Sequence, residues 1–242
     1  MNRRLLVSIA LGALAFGSAA VAQTRVAKPL NIVVYGGSGN IGSRIVNEAA
    51  ARGHNVTVVD KNPKPDLAPK GVKVVAGDVF DRQDILKNIA GADALISAVA
   101  ARPAPTPDFA LSVVKSEIEA LRAQTGAKKT RLLVVGGASS LYNAAGKRII
   151  DTRPARQDGE VKSSVDSLDW LLAEVKDVPW TFQSPNGNIM AGTRTGKFRL
   201  GTDQILVDAN GRSSISMEDF AVAMLDEIEK PQFVNKRFTA GY

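Results

Sequence analysis

The segment that most constrains this chain is Tyr35-Gly36-Gly37-Ser38-Gly39-Asn40-Ile41-Gly42. It leaves a short β-branched run, Leu30 to Tyr35 (LNIVVY), and enters a stretch from Ile41 to Arg52 with apolar residues at Ile41, Ile45, Val46 and Ala49. Those spacings predict a buried strand followed by an amphipathic helix. A glycine cluster in that context has a physical role. Gly36 permits the tight turn, Gly39 leaves a pyrophosphate unobstructed, and Gly42 allows close packing of the helix. The helix start adds free N–H groups and the positive end of a dipole. A phosphate-binding NTPase loop needs Lys-Ser/Thr after its last glycine, and Ser43-Arg44 stands there instead. The segment predicts a loop that holds a nucleotide, shaped by Gly36, Gly39 and Gly42.

The second strand ends at Asp60-Lys61, with Asp60 lying 21 residues beyond Gly39. A carboxylate at about that distance suits the adenosine ribose hydroxyls and repels a 2′-phosphate. Lys61 argues the other way, as an ammonium that would welcome the phosphate, unless it is a solvated turn residue. NAD and NADP both stay open. Asp78 and Val79, in GDVFD after the third strand, are placed to approach the adenine, with helix capping as the alternative for Asp78.

Further along, apolar runs alternate with amphipathic stretches. Strands are expected at Val56–Val59, Val72–Val75, Ala92–Val99 and Arg131–Val135, with later short ones at Trp180–Gln183, Gln204–Val207 and Arg237–Ala240. Helices are expected at Asp84–Ile89, Asp108–Ala123, Val161–Val175 and Met217–Lys230, and 141–160 reads as a loop. The alternation predicts an α/β fold: a doubly wound parallel sheet in one domain over residues 29–242, with small substrate-side elements toward the C-terminus. Ligands of such sheets sit at the strands' carboxyl ends. His54, in the turn between the first helix and second strand, falls at the opposite edge and reads as a solvated turn residue.

Composition removes most alternatives. With no cysteine and a single histidine, thiolate and multi-histidine metal sites cannot be built within one chain. The formal charge of +7 includes Arg3 and Arg4 of a leader, and the remaining cations are scattered, favouring anionic ligands without implying nucleic acid. Residues 1–22 join a positive start, an uncharged apolar run and Ala20-Val21-Ala22, which predicts a signal peptide and export to the periplasm. If left uncleaved, the leader would be the chain's one membrane attachment. Asn2-Arg3-Arg4-Leu5-Leu6-Val7 also looks like a loose twin-arginine signal, so the export route stays open.

GGSGNIG, GDVFD, LISAV, RLLVVGGASSLY, WTFQSP, RTGKFRLG and ISMEDFAVAMLDEIE occur in an order that resembles the atypical short-chain dehydrogenase/reductases, the group of NmrA-like proteins and NADH-flavin reductases. The resemblance covers about Pro29 to Tyr242. It implies a Rossmann fold with NAD(P) across the carboxyl edge and a flavin- or quinone-like acceptor. Carried onto matching positions, Gly36, Ser38, Gly39, Asn40, Ile41 and Gly42 hold the pyrophosphate, Asp60 and Lys61 face the ribose, and Asp78 and Val79 face the adenine. Ala98 and Val99, with Gly137, Ala138 and Ser139, border the nicotinamide, and Pro185 closes the pocket.

One departure matters. The group's dehydrogenases protonate a carbonyl with Tyr-x-x-x-Lys, whereas here Tyr142 is followed four places later by Gly146, with Lys147 one step further. On a helix that offset takes the lysine off the tyrosine's face. An intrinsically electrophilic acceptor needs less of the protein, so flavin or quinone reduction fits better than alcohol oxidation or sugar epimerisation. Ser139, Ser140 and Tyr142 are the candidate catalytic hydrogen-bond donors, with loop capping as their alternative. Arg153 and Arg156 are candidate attractors of an anionic acceptor. The competing reading is a non-catalytic NmrA-like nucleotide-binding redox sensor.

Overall fold

The computed structural model describes residues 28–101, 103–126, 128–152 and 159–242. Ten strands and five helices follow one another as β1 (Asn31–Tyr35), α1 (Asn40–Arg52), β2 (Asn55–Asp60), β3 (Lys73–Ala76), α2 (Arg82–Asn88), β4 (Ala94–Ser97), α3 (Phe109–Arg122) and β5 (Arg131–Val135), then α4 (Gly159–Glu174), β6 (Trp180–Pro185), β7 (Asn188–Met190), β8 (Arg199–Gly201), β9 (Ser214–Ser216), α5 (Met217–Glu229) and β10 (Lys236–Gly241). Eight strands form one sheet in the order β3-β2-β1-β4-β5-β6-β10-β8, and β7 pairs with β9 beside it. Every pairing in the large sheet is parallel except β10 with β8. The order reverses at β1, so a crevice opens between the tips of β1 and β4, the place where such sheets take ligands.

Continuous apolar strands require cover on both faces. Ile45, Val46 and Ala49 of α1 and Phe220, Met224 and Leu225 of α5 bury one face of the sheet. Ile85 of α2, Val113, Ile118 and Leu121 of α3, and Leu168 and Leu171 of α4 bury the other. The doubly wound single domain read from the sequence is the fold observed.

Four local expectations change. His54 is buried: its Nδ1 accepts the Leu30 amide at 3.2 Å, and its Nε2 lies 2.9 Å from Glu229 Oε1, so it joins β1, α1 and α5 without meeting solvent. Gln204–Val207 is not a strand, because the Asn186 side chain takes both Leu206 backbone groups, the carbonyl at 2.7 Å and the amide at 3.0 Å. Asp78 caps no helix; α2 is capped by Asp81, whose carboxylate accepts the Gln83 and Asp84 amides. The expected loop over 141–160 ends early, since Gly159 already begins α4. Arg153, Arg156 and the leader lie outside the described residues.

The α1–α5 contact carries a buried charge network. Arg52 donates to Glu48 at 2.8 Å, Asp226 at 2.7 Å and Glu229 at 3.1 Å. Burial would penalise the Glu48 carboxylate, yet Arg194 and Arg52 together hold it below its usual range. Removing Arg52 leaves the buried Glu48 with Arg194 alone and takes the guanidinium from Glu229 and Asp226. Arg52→Ala is therefore expected to lower the unfolding free energy by about 3 kcal/mol, read from urea titration. A loss below about 1 kcal/mol would show that water replaces the guanidinium.

Candidate functional site

β1 hands the chain to Gly36, whose φ of +78° is the left-handed region that favours glycine. A Cβ there would stand 2.5 Å from the Ala98 carbonyl oxygen, so the tip of β4 presses directly on the turn. A Cβ on Gly42 would stand 2.2 Å from the Gly36 carbonyl oxygen, which puts the first turn of α1 against the loop feeding it. Gly39 occupies the N-cap in an extended conformation with no capping side chain, and the first turn holds no acidic residue. The amides of Asn40, Ile41 and Gly42 have no acceptor among the described residues. Three donors and the helix's positive end therefore face the crevice.

Ser38 ties this loop to β2. Its amide donates to Asp60 Oδ2 at 3.0 Å and its hydroxyl to the same oxygen at 2.6 Å. The other carboxylate oxygen has no partner among the described residues, so the aspartate at the β2 tip keeps one acceptor. Lys61 is exposed and lies 3.5 Å from Asp78 Oδ2. The Asp78 amide donates to Asp84 Oδ2 at 2.7 Å. Val79 is buried in the core cluster with Ile85 and Val113, and its carbonyl accepts the Ser116 hydroxyl at 2.7 Å.

Ala98, Val99, Gly137, Ala138 and Ser139 come together on the adjacent tips of β4 and β5, all half-buried. Ser139 forms no side-chain hydrogen bond among the described residues. Ser140 is different: it is fully buried, donating to the Gly137 carbonyl at 2.8 Å and hydrogen-bonded to Ser184 Oγ at 2.9 Å. Its hydroxyl holds the 3₁₀ turn 138–140. Pro185 is the buried last residue of β6, paired in register with Ala240.

Tyr142 stands further out. Its amide donates to the Asp203 carbonyl and its carbonyl accepts from Ile205, both at 2.9 Å. Lys147 is exposed, while the guanidiniums of Arg148 and Arg237 lie 5.7 and 5.5 Å from the tyrosine ring centre. Arg148 is anchored by two bonds to Asp169, and Arg237 by Asp203 and the Ser140 carbonyl. Two arginines thus flank the tyrosine ring. Sequence reasoning also missed Ser164, whose hydroxyl would lie 3.0 Å from a Cβ on Gly137, and a cleft of about 300 Å³ lined in part by Gly37, Ser38 and Gly39 of the glycine loop. Val46, Val58 and Val74 line that cleft, with Asn40, Arg44 and Lys64 also around it. The described residues contain no cluster of metal ligands and no helix long and apolar enough to cross a membrane.

The uncapped amides, the two glycines that exclude a Cβ and the acceptor at Asp60 fit a pyridine dinucleotide. A family model for NAD(P)H-binding proteins matches residues 36–231.

The chain belongs to that family.

Among solved structures, a Burkholderia pseudomallei protein provisionally named as exported shares 38% identity with a TM-score of 0.78, over 88% of this chain and 100% of that one. A Bacteroides thetaiotaomicron protein provisionally named an epimerase also shares 38% identity at a TM-score of 0.78, over 89% and 98%. A Streptococcus pneumoniae TIGR4 protein provisionally named an NADH-flavin reductase shares 31% identity at 0.75, over 88% and 99%. This NAD(P)H-binding protein has the fold of NAD(P)-binding oxidoreductases.

Proposed function

We propose that this protein binds a pyridine dinucleotide across the tips of β1, β2, β4 and β5 and uses it to reduce a flavin- or quinone-like acceptor. The observation that carries the reading is the pairing of an open, uncapped nucleotide cradle with a substrate side where Arg148 and Arg237, and no lysine among the described residues, lie over the Tyr142 ring. Bound NADH supplies a hydride to such an acceptor, which then takes a proton. The chain's own part is binding and orientation. The amides of residues 40–42 grip the diphosphate, and Ala98, Val99, Gly137 and Ala138 shape the nicotinamide wall. The Ser139 hydroxyl is free to hydrogen-bond the acceptor, and Tyr142 is held beside Arg148 and Arg237 as the second donor. An epimerase needs an acid–base pair at the sugar carbon, so that rival is disfavoured. The test is NADH oxidation by the purified protein with and without riboflavin-type and benzoquinone-type acceptors. Acceleration well above the protein-free rate supports reduction; tight NADH binding without acceleration selects the non-catalytic sensor.

Asp60 favours NADH over NADPH, because a 2′-phosphate would meet its unpartnered carboxylate oxygen. Asp60→Asn keeps an acceptor for Ser38 while removing the charge. It is expected to shift the NADPH:NADH affinity ratio toward NADPH by about tenfold, read calorimetrically. An unchanged ratio would remove the carboxylate from cofactor choice. Residues 1–22 we read as a cleaved export signal, consistent with the provisional name of the Burkholderia relative. N-terminal sequencing of the protein from the periplasm checks it, with cleavage expected after Ala22.

A further inference from the structure

The face that α3 turns to the sheet is made of Val113, Val114, Ile118, Leu121 and one carboxyl group, Glu117. Glu117 is 0% exposed, its oxygens make no hydrogen bond of full geometry among the described residues, and the one polar side chain acting on its carboxyl is the Ser97 hydroxyl. Buried polar atoms without partners are rare in folded proteins because each forfeits its hydration. The position of this one is informative. Its neighbours include Ser97, the last residue of β4, and Tyr35, the last residue of β1, which face each other in register. The next residues along those strands are Ala98 and Gly36, whose backbones press together under the dinucleotide crevice.

A line of polar groups continues from there to the adenosine end. Asn88 donates at 3.2 Å both to the Tyr35 hydroxyl and to Asp84 Oδ1, and Asp84 Oδ2 accepts the Asp78 amide at 2.7 Å. Burial pushes the Tyr35 phenol up to about 12, with the Asn88 bond opposing and Asp84, Glu117 and Asp81 adding to the rise. Burial likewise pushes the Glu117 carboxyl up to about 8, with the Ser97 hydroxyl opposing. Tyr35, Asp84 and Asp81 are thus the titratable groups on this side, and no cation is among the groups acting on either Glu117 or Tyr35. An ionised Glu117 would have to draw in water, which loosens the packing of α3 on the cluster that holds Tyr35 and Leu95.

We propose that Glu117 is a proton-operated latch beneath the nucleotide floor: protonated, it lets α3 close on the tips of β1 and β4, and on losing its proton it parts them and releases the dinucleotide. The latch rests on the dinucleotide-binding reading above and adds regulation to that site. It makes affinity depend on the pH of the compartment the protein occupies.

The test titrates ADP-ribose, which has no group ionising in the range used, into the full chain and its Glu117→Gln variant from about pH 6.5 to about pH 9.5. The wild-type affinity is expected to fall at least tenfold, that is by ~10-fold or more, above about pH 8 while the variant stays level. Calorimetry at about pH 8.5 in buffers of different ionisation enthalpy should show proton uptake on binding by the wild type. That second reading needs no variant and stands if Glu117→Gln fails to fold. Binding with no pH dependence and no proton uptake overturns the latch alone. No binding at any pH overturns the dinucleotide reading, and the latch falls with it.

Discussion

Gly39→Ala is expected to leave the fold intact and to weaken ADP-ribose binding about a hundredfold, measured by calorimetric titration beside a thermal unfolding scan. The two effects separate because of where this glycine sits. Its φ of −73° and ψ of 173° are open to alanine, and the added Cβ would meet only the Gly36 carbonyl oxygen, at 3.1 Å. The backbone yields by a few tenths of an ångström, and an alanine N-cap costs about 1 kcal/mol or less relative to glycine. The ligand has no such freedom. A methyl group over the helix start displaces the diphosphate from the amides of residues 40–42, and each charge-assisted bond lost is worth about 1.5–3 kcal/mol. Gly42→Ala is the informative contrast. Its Cβ would lie 2.2 Å from the Gly36 carbonyl oxygen, so α1 must move and stability falls together with affinity. Wild-type affinity in a folded Gly39→Ala protein would place the diphosphate elsewhere.

The parts of this site that are legible in the sequence are those set by local chemistry. A glycine cluster between a β-branched run and a 3.6-residue periodicity defines a turn whose geometry is encoded within a few residues, and Asp60 is found by counting along β2. What depends on distant partners is not legible. Nothing near Ser140 reveals that Ser184, 44 residues on, lies against its hydroxyl. Nothing near His54 reveals that Leu30 and Glu229 enclose it from 24 and 175 residues away. The strands β7, β8 and β9 have three residues each, too few for alternation to declare itself, whereas Gln204–Val207 is apolar enough to suggest a strand that the Asn186 amide pre-empts. Glu117 is an intermediate case. It recurs four residues after Val113 and four before Leu121, inside the apolar stripe, and that register alone marks it as a buried acid.

That buried acid has a consequence for stability as well as for binding, and its sign can be worked out. The folded-state carboxyl titrates at about 8 against 4.5 for an unperturbed glutamate, because burial disfavours the charged form. Between those two values the folded protein holds a proton that the unfolded chain has released. Stability from this group is therefore fully present below 4.5, declines as pH rises, and is gone once pH passes about 8. The decline amounts to roughly 1 kcal/mol per pH unit, and a few kcal/mol across the window. Glu117→Leu replaces the acid with a side chain that matches Val113, Ile118 and Leu121, so the variant should lack this slope. Urea unfolding from about pH 5 to about pH 9 is expected to show the variant gaining on the wild type throughout the window, with a plateau above it. Parallel stability curves would mean that Glu117 is already ionised and hydrated in the folded protein. In that event α3 does not close on the strand tips as tightly as its buried face requires.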